Sequence, residues 1–344
     1  DEIACSTGML LIGGGSNGGA PPNKPDKPIV EIALATRSVV AELGMVPNQP
    51  LVFHDDGKRR GEDDLIAYTW DQFLKTGDAN WPARNPMVKS AVRAMDTIQA
   101  LTVREQGGKR RIDRFVVAGG SKRGWTTWLT GAVDPRVTAI IPIVIDVLNV
   151  NVSMKHHRAA YGFWAPAVGD YERHKIMDRM DTPEMEALYR LVDPFYYRRQ
   201  LTMPKYIVNA SGDQFFLPDS AQFYYDDLPG EKHLLYCANT DHGLDGSGAE
   251  KALLAWYGSL LAGRDRPRFS WDIPAEGRVA VRGCGGPHAP GGKPFEEDGT
   301  AGGVVVHHED GRVPQARVGL GQGGDPGLFL EAGGEPEGGA RVDG

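Results

Sequence analysis

The segment Arg114-Phe-Val-Val-Ala-Gly-Gly-Ser-Lys-Arg-Gly-Trp125 carries the strongest structural signal in the chain. Its apolar, β-prone residues 115–118 predict a buried strand, two glycines end that strand, and the residues from Gly124 onward continue as a helix. Ser121 therefore lies at the apex of a sharp strand-to-helix turn, which exposes its hydroxyl group. The usual nucleophile elbow is G-x-S-x-G, but here Arg123 takes the place of the last glycine. Taken alone, the pattern also fits an ordinary turn with a helix-capping serine.

The composition limits the classes of function that the chain can have. Its 344 residues allow one large domain or two ordinary ones, and a hydrophobic content of 41% is enough for a sizeable core. A net charge of −7 argues against nucleic acid as a main partner, and no apolar run is long enough to span a membrane. The three widely spaced cysteines indicate neither a disulfide framework nor a zinc site. We therefore expect no metal and no cofactor; the oligomeric state stays open.

The N-terminal region begins abruptly. The chain starts at Asp1, without a methionine or a signal-peptide pattern, and residues 9–12 already predict a strand. We expect an N-terminal truncation that removed any targeting segment.

A glycine-rich loop, Gly13-Gly-Gly-Ser-Asn-Gly-Gly19, follows this first strand. Gly13, Gly15 and Gly18 match the dinucleotide fingerprint, but that site requires a helix directly after the loop. The prolines between residues 21 and 28 delay any helix to about residue 28, so a nucleotide-binding oxidoreductase is disfavoured. The loop is either a flexible surface segment or a source of backbone N–H groups for an oxyanion.

Predicted helices and strands alternate along the rest of the chain. Helices are expected at residues 29–43, 62–74, 87–101, 220–228 and 250–261, strands at residues 115–118, 137–145, 205–210 and 233–237, and a turn followed by a strand at residues 47–53. The acidic residues Glu62, Asp63 and Asp64 suit the dipole of the second helix better than a metal site. Short apolar strands that alternate with helices predict a mainly parallel sheet covered on both faces. Residues 147–201 predict a mainly helical, aromatic-rich insertion that covers the site.

Three residues with complementary chemistry follow three predicted strands, in the order Ser121, Asp213 and His242. Ligand sites in parallel sheets lie at the carboxyl ends of the strands, and this is the chain order of an α/β-hydrolase triad. His242 would remove the proton of Ser121, and Asp213 would orient the imidazole. Asp146 also follows a strand and is the alternative acid. The sequence therefore predicts an α/β-hydrolase-like fold.

The oxyanion hole of such a site is expected to use the backbone N–H of Lys122 and one from Gly14, Gly15 or Ser16. This predicts a serine hydrolase that acts on an ester or amide, on a small molecule or a polymer. The aromatic residues of the insertion would either line or cover the pocket, or pack in the core: Tyr161, Phe163, Trp164, Phe195, Tyr196 and Tyr197.

Several motifs resemble, in order, the PhoPQ-activated pathogenicity-related protein family. They are Val46-Pro-Asn-Gln-Pro-Leu51, Glu62-Asp-Asp-Leu-Ile-Ala-Tyr-Thr-Trp70, Pro86-Met-Val-Lys89, Gly120-Ser-Lys-Arg-Gly-Trp-Thr-Thr-Trp-Leu129 and Val144-Ile-Asp-Val-Leu-Asn149. The resemblance runs to about residue 280. It implies an α/β-hydrolase-like fold in bacterial proteins that are usually exported to the periplasm or secreted, and it implies no substrate. The shifted elbow glycine is similar to that of glucuronoyl esterases, which by analogy supports a carboxylic ester.

One alternative function also stays open. Arg123 at the elbow also fits an exported binding or signalling protein that keeps the fold with an idle triad.

The domain prediction is a hydrolase-like domain over residues 1–265 and the start of the family's β-rich module over residues 266–282. Residues 283–344 then turn to glycine, proline and charge, which predicts a disordered tail or a shifted reading frame near residues 281–285.

Overall fold

The structure, a computed structural model, describes residues 6–20 and 22–266 and the backbone of four short strands between residues 268 and 331. The chain divides into two compact units, residues 1–262 and 263–344. The first unit contains these strands and α-helices: β1 (Thr7–Ile12), α1 (Lys27–Thr36), β2 (Val40–Leu43), α2 (Glu62–Thr76), α3 (Arg84–Thr102), β3 (Arg114–Gly120), α4 (Lys122–Val133), β4 (Val137–Ile143), α5 (Val150–Tyr161), α6 (Gly169–Arg173), α7 (Pro183–Val192), β5 (Lys205–Ala210), β6 (Lys232–Cys237) and α8 (Ala249–Leu261).

The strands of the first unit form one six-stranded sheet in the order β2-β1-β3-β4-β5-β6. Every neighbouring pair is parallel, which confirms the predicted mainly parallel sheet. Both faces of the sheet are buried, because alternate residues of β3 belong to two apolar clusters: Phe115 and Val117 to one, Val116 and Ala118 to the other. This double burial explains why β3 is a continuous apolar run.

The carboxyl ends of the central strands meet at one edge of the sheet. In the register, Ile12 is opposite Gly119, Gly120 is opposite Ile143, and Ala210 is opposite Cys237. The segments that follow these strands contain the glycine loop, Ser121, Asp146, Asp213 and His242. The topology therefore brings the predicted site residues to one edge, and the fold is α/β-hydrolase-like as predicted.

The predicted helix over residues 29–43 is wrong in its second half. Helix α1 ends at Thr36, Arg37 adopts a left-handed conformation with φ of 49°, and β2 then pairs with β1. In β2 most residues are only half-buried, because it is the edge strand, so its apolar pattern cannot be told from a helical stripe. Two further predictions fail: residues 47–53 contribute only the bridge between Leu51 and Arg60, and residues 220–228 contain only the 3₁₀ helix Ser220–Phe223.

The helices α5, α6 and α7 and the 3₁₀ helices Pro166–Val168, Met177–Arg179 and Pro194–Gln200 lie between β4 and β5. This helical insertion is the one predicted for residues 147–201. No helix of the residues that the structure describes is long and apolar enough to cross a membrane.

The second unit contains two antiparallel strand pairs. The strands β7 (Arg268–Asp272) and β8 (Ala280–Cys284) pair with each other where the β-rich module was predicted to begin, and β9 (Arg317–Leu320) pairs with β10 (Leu328–Glu331). The other residues after 284 lie outside those described, so the disordered or frame-shifted tail stays a prediction.

Candidate active site

Ser121 occupies a strained backbone position. Its φ of 54° and ψ of −125° lie outside the regions that are favourable for a residue with a Cβ atom. The strain is held in place because its N–H donates to the Ile143 carbonyl at 2.8 Å and its carbonyl accepts from Trp125 N–H at 3.0 Å. The hydroxyl does not cap α4. This is the backbone geometry of a nucleophile elbow rather than of an ordinary capping serine.

Two glycines make this sharp turn possible. A Cβ atom on Gly119 would lie 2.8 Å from the Arg123 carbonyl oxygen, and one on Gly124 would lie 2.9 Å from the carbonyl oxygens of Gly119 and Ile143. On the helix, the position that needs a glycine is therefore Gly124, three residues after Ser121, and not position 123. This explains why an arginine is tolerated where the usual motif has glycine.

The side chains of Lys122 and Arg123 tie the elbow to the start of α2. Arg123 donates two hydrogen bonds to the Glu62 carboxylate, at 2.7 and 2.9 Å, and Lys122 Nζ lies 2.8 Å from Glu62 and 3.0 Å from Asp63. Burial alone would raise the pKa of Glu62, but the hydrogen bonds from Arg123, Lys122 and Gln49 lower it to about 2. Glu62 and Asp63 thus do more than complement the helix dipole: they hold Lys122 and Arg123 of the elbow in place.

The glycine loop lies against Arg123. The Gly14 carbonyl accepts from Met45 N–H at 2.6 Å, and the Gly15 carbonyl accepts from Gln49 Nε2 at 2.9 Å. A Cβ atom on Gly14 would be 2.8 Å from a terminal nitrogen of Arg123. Helix α1 begins only at Lys27, so the helix that a dinucleotide site requires does not follow the loop directly.

Gly14, Gly15 and Ser16 are exposed beside the elbow. The Lys122 N–H is the first of α4, and the first N–H groups of a helix have no acceptor within the helix. The assignment of these groups to an oxyanion hole stays a prediction.

Asp213 and His242 form a hydrogen-bonded pair. Asp213 Oδ2 lies 2.8 Å from His242 Nδ1, and its other oxygen accepts from the N–H groups of Phe215 at 2.8 Å and Phe216 at 3.3 Å. With only 2% of its side chain exposed, Asp213 is fixed by these bonds. A carboxylate that accepts from Nδ1–H leaves Nε2 of the imidazole free to accept a proton.

Asp146, the alternative acid, has different partners. Its two oxygens accept hydrogen bonds from the hydroxyl groups of Tyr224 at 2.6 Å and Tyr236 at 2.5 Å. Burial raises the pKa of Asp146 to about 7, although the two tyrosine bonds act in the opposite direction. The structure thus joins His242 to Asp213, while the buried Asp146 is bound by two tyrosine hydroxyl groups.

A small cavity of about 50 Å³ lies beside Ser121. Its wall is mainly apolar and comes from α4, the helical insertion and Phe215 and Phe216, the residues that follow Asp213. The ring centre of Phe215 also lies 4.4 Å from that of His242, so Phe215 contacts the histidine and lines the cavity beside Ser121. Among the described residues, no hydrogen bond joins the Ser121 hydroxyl to His242.

Comparison with known proteins places the chain in a family. The family model described as PhoPQ-activated pathogenicity-related protein matches residues 2–284. The chain belongs to this family.

A curated relative is similar over much of the chain. The autocrine proliferation repressor protein A of Dictyostelium discoideum is 42% identical over 280 residues, which are 79% of this chain and 56% of that protein. The family member described here therefore spans only about half the length of this relative.

Two solved structures resemble this PhoPQ-related chain at low sequence identity. The acetyl xylan esterase 1 of Thermoanaerobacterium is 14% identical, with a TM-score of 0.48 over 74% of each chain. A puromycin-hydrolyzing peptidase of Mycobacterium tuberculosis is 18% identical, with a TM-score of 0.48 over 76% of this chain and 35% of the peptidase.

The aromatic residues predicted to line the pocket of this family member do not line the cavity beside Ser121. Tyr161 and Phe163 are exposed and stack on each other with their ring centres 5.9 Å apart. The insertion instead contributes aliphatic side chains and two other aromatic residues, Tyr171 and Tyr189. The other expectation, core packing, holds for Trp164, Phe195 and Tyr197, which pack against the larger apolar cluster. Composition shows that a segment is aromatic but not which way its helices face.

Sequence reasoning missed Arg84, which also lines this cavity. Only 1% of Arg84 is exposed, although a basic residue at the start of an amphipathic helix ordinarily predicts a solvent-facing side chain. No local sequence signal marks it as buried. Within the described residues, no group of three or more histidine, cysteine, aspartate or glutamate side chains could hold a metal ion.

Proposed function

We propose that the chain is a serine hydrolase that cleaves an ester or amide bond, with Ser121 as the nucleophile and His242 as the general base. Asp213 is the acid that orients the histidine. The observation that carries the proposal is the 2.8 Å contact between His242 and the buried Asp213, at the same edge of the sheet as the strained Ser121. That strain is otherwise an unexplained cost to the fold.

The reaction begins when Ser121 Oγ attacks the carbonyl carbon and His242 Nε2 accepts the hydroxyl proton. Asp213 stabilises the imidazolium that forms, because it accepts from Nδ1–H. The oxyanion is stabilised by the Lys122 N–H and an N–H of the glycine loop. His242 then protonates the leaving group. In the second half of the reaction His242 takes a proton from water, which attacks the acyl enzyme, and returns it to Ser121 Oγ as the bond between Oγ and the acyl carbon breaks.

The mainly apolar cavity supports this assignment because it offers the acyl part of a substrate a water-poor site next to Ser121. Trp125 and Phe215 form part of its wall. The absent bond between Ser121 and His242 does not oppose the proposal, since catalytic hydrogen bonds commonly tighten only when a substrate binds.

The test is the hydrolysis of 4-nitrophenyl acetate by the parent chain and by Ser121→Ala. We expect kcat/KM to fall by roughly a thousandfold or more in Ser121→Ala, because the nucleophile is lost. Ser259→Ala on α8 is the matched control, because Ser259 Oγ only donates to the Trp256 carbonyl of its own helix. Equal rates for parent and Ser121→Ala would reject the proposal.

A second candidate is an exported binding or signalling protein with an idle triad. The name of the 42% identical relative, an autocrine proliferation repressor, favours it. Export itself rests on the family resemblance alone. A folded parent chain that hydrolyses no ester and reacts with no serine-directed probe would favour this candidate.

A further inference from the structure

Arg84 is a buried cation with unused hydrogen-bonding capacity. Only 1% of the residue is exposed, and its Nε atom has no hydrogen-bond partner. Native proteins rarely leave such a group unpaired, since an unsatisfied buried donor is costly. Burial lowers the pKa of Arg84, yet an arginine stays charged at neutral pH. A fully charged and partly unsatisfied guanidinium group therefore lines the cavity beside Ser121.

No carboxylate of the described residues forms an ion pair with Arg84. Tyr171 and Asp63 are the groups that most favour the charged form of Arg84, but the Asp63 carboxylate is already bound by Lys122 at 3.0 Å and by the Tyr171 hydroxyl at 3.1 Å. Glu62 is bound by Arg123 and Lys122.

The neighbouring acids of the same region also have their own partners. Asp64 lies 2.8 Å from His174 and Asp71 lies 2.9 Å from Arg179. The charged residues that line the cavity are Arg84, Lys122 and Asp63, so its wall carries two positive charges against one negative charge. One positive charge remains for an anion from outside.

The position of Arg84 is fixed relative to the nucleophile. One terminal nitrogen donates to the carbonyl of Lys122 at 3.0 Å, and Lys122 directly follows Ser121. The guanidinium carbon lies 4.3 Å from the centre of the Trp125 ring in a cation–π contact, and the Tyr171 side chain also hydrogen-bonds to Arg84, while Nε has no partner. Ser121 and Arg84 line the same cavity.

We propose that Arg84 binds a carboxylate group of the substrate, so that the enzyme prefers esters or amides of acids that carry a second, free carboxylate. The proposal deepens the hydrolase assignment and rests on it. A carboxylate matches the planar donors of a guanidinium group and would supply the missing negative charge. The mainly apolar cavity wall suits the short carbon chain between the two ends of such an acid.

The test compares two series of substrates of equal chain length. One series is the 4-nitrophenyl monoesters of succinic, glutaric and adipic acid, and the other is 4-nitrophenyl butyrate, pentanoate and hexanoate. Rates with Ser121→Ala are subtracted as background. We expect kcat/KM of the parent chain to favour the best acid ester over its neutral counterpart by roughly tenfold to a hundredfold, as for a hydrogen-bonded buried charge.

The readout for Arg84 is the ratio of the two kcat/KM values. Arg84→Met is expected to abolish the preference, whereas Arg84→Lys, which keeps the charge, is expected to retain part of it. Arg93→Met is the matched control on the same helix, since 69% of its side chain is exposed and it pairs only with Asp96 on the surface. It should leave the ratio unchanged. Circular dichroism shows which variants fold. If Arg84→Met does not fold, Arg84→Lys serves as the test, and its preference for acid esters should be weaker than that of the parent chain.

The outcomes separate this inference from the hydrolase assignment. Hydrolysis that depends on Ser121 but shows no preference for acid esters overturns the role of Arg84 and leaves the hydrolase assignment intact. If no ester is hydrolysed, the assignment fails, and calorimetric titration with glutarate decides about Arg84. Binding to the parent chain that is lost in Arg84→Met would support a carboxylate site, and no binding to the parent chain would overturn it.

Discussion

His242 Nδ1 lies 2.8 Å from Oδ2 of Asp213, and the other oxygen of Asp213 is held by two backbone N–H groups. The pair comes from the ends of two neighbouring parallel strands, β5 and β6. The histidine is thereby held in one orientation by a buried carboxylate, which is what a general base for a serine requires.

Replacing the two candidate acids should have unequal effects. Asp213→Asn keeps the shape of the side chain but cannot hold the catalytic tautomer of His242, so we expect kcat to fall by roughly 10³- to 10⁴-fold. Asp146→Asn should lower kcat only a few-fold, because Asp146 is bound to Tyr224 and Tyr236 instead. The measurement is steady-state ester hydrolysis by both variants. A larger loss in Asp146→Asn would reverse the assignment of the acid.

The buried Asp146 predicts a pH-dependent stability. Between the ordinary value of 3.8 and its folded pKa of about 7, the folded state holds a proton that the unfolded state has lost. Raising the pH through this window therefore favours unfolding, by up to about 1.4 kcal/mol per pH unit.

Asp146→Asn removes this contribution, because an amide does not titrate. The free energy of unfolding, measured with urea at a series of pH values, should fall more steeply with pH in the parent chain than in Asp146→Asn. A difference between the two proteins that stays constant across the window would show that Asp146 is not protonated in the fold.

Gly124 should be essential for the elbow. In Gly124→Ala the new methyl group would lie 2.9 Å from two carbonyl oxygens, so we expect a loss of roughly 1–3 kcal/mol in the free energy of unfolding. Gly258→Ala on α8 is the control, because a Cβ atom there meets nothing within 4 Å. It should stabilise the chain by roughly 0.5–1 kcal/mol. Equal effects of the two substitutions in thermal or urea unfolding would contradict this account of the turn.

The sheet could be predicted from the sequence wherever both faces of a strand are buried. Strands β3, β4 and β5 are short apolar runs that end in turn residues, and such runs have few alternative structures. Strand β2 could not be predicted in this way, since an edge strand of four residues, three half-buried and one exposed, contains too few apolar positions to distinguish a period of 2 from a period of 3.6.

The site could be predicted only as far as chain order and strand ends allow. Ser121, Asp213 and His242 follow from the rule that sites lie past the carboxyl ends of parallel strands. The sequence favours Asp213 over Asp146, but it does not show which carboxylate meets His242, because that depends on which side chains face each other across the edge of the sheet. Arg84 could not be found at all, because its burial depends on tertiary packing against Trp125.

The most direct measurement of the central claim is active-site labelling with a fluorophosphonate, because this probe reacts with an activated serine and needs no knowledge of the substrate. The parent chain and Ser121→Ala are first shown to be folded by circular dichroism, and the modified peptide is then identified by mass spectrometry. The account predicts a single label on Ser121 in the parent chain and none in Ser121→Ala. A folded parent chain that takes up no label, or a label that persists in Ser121→Ala, would contradict it.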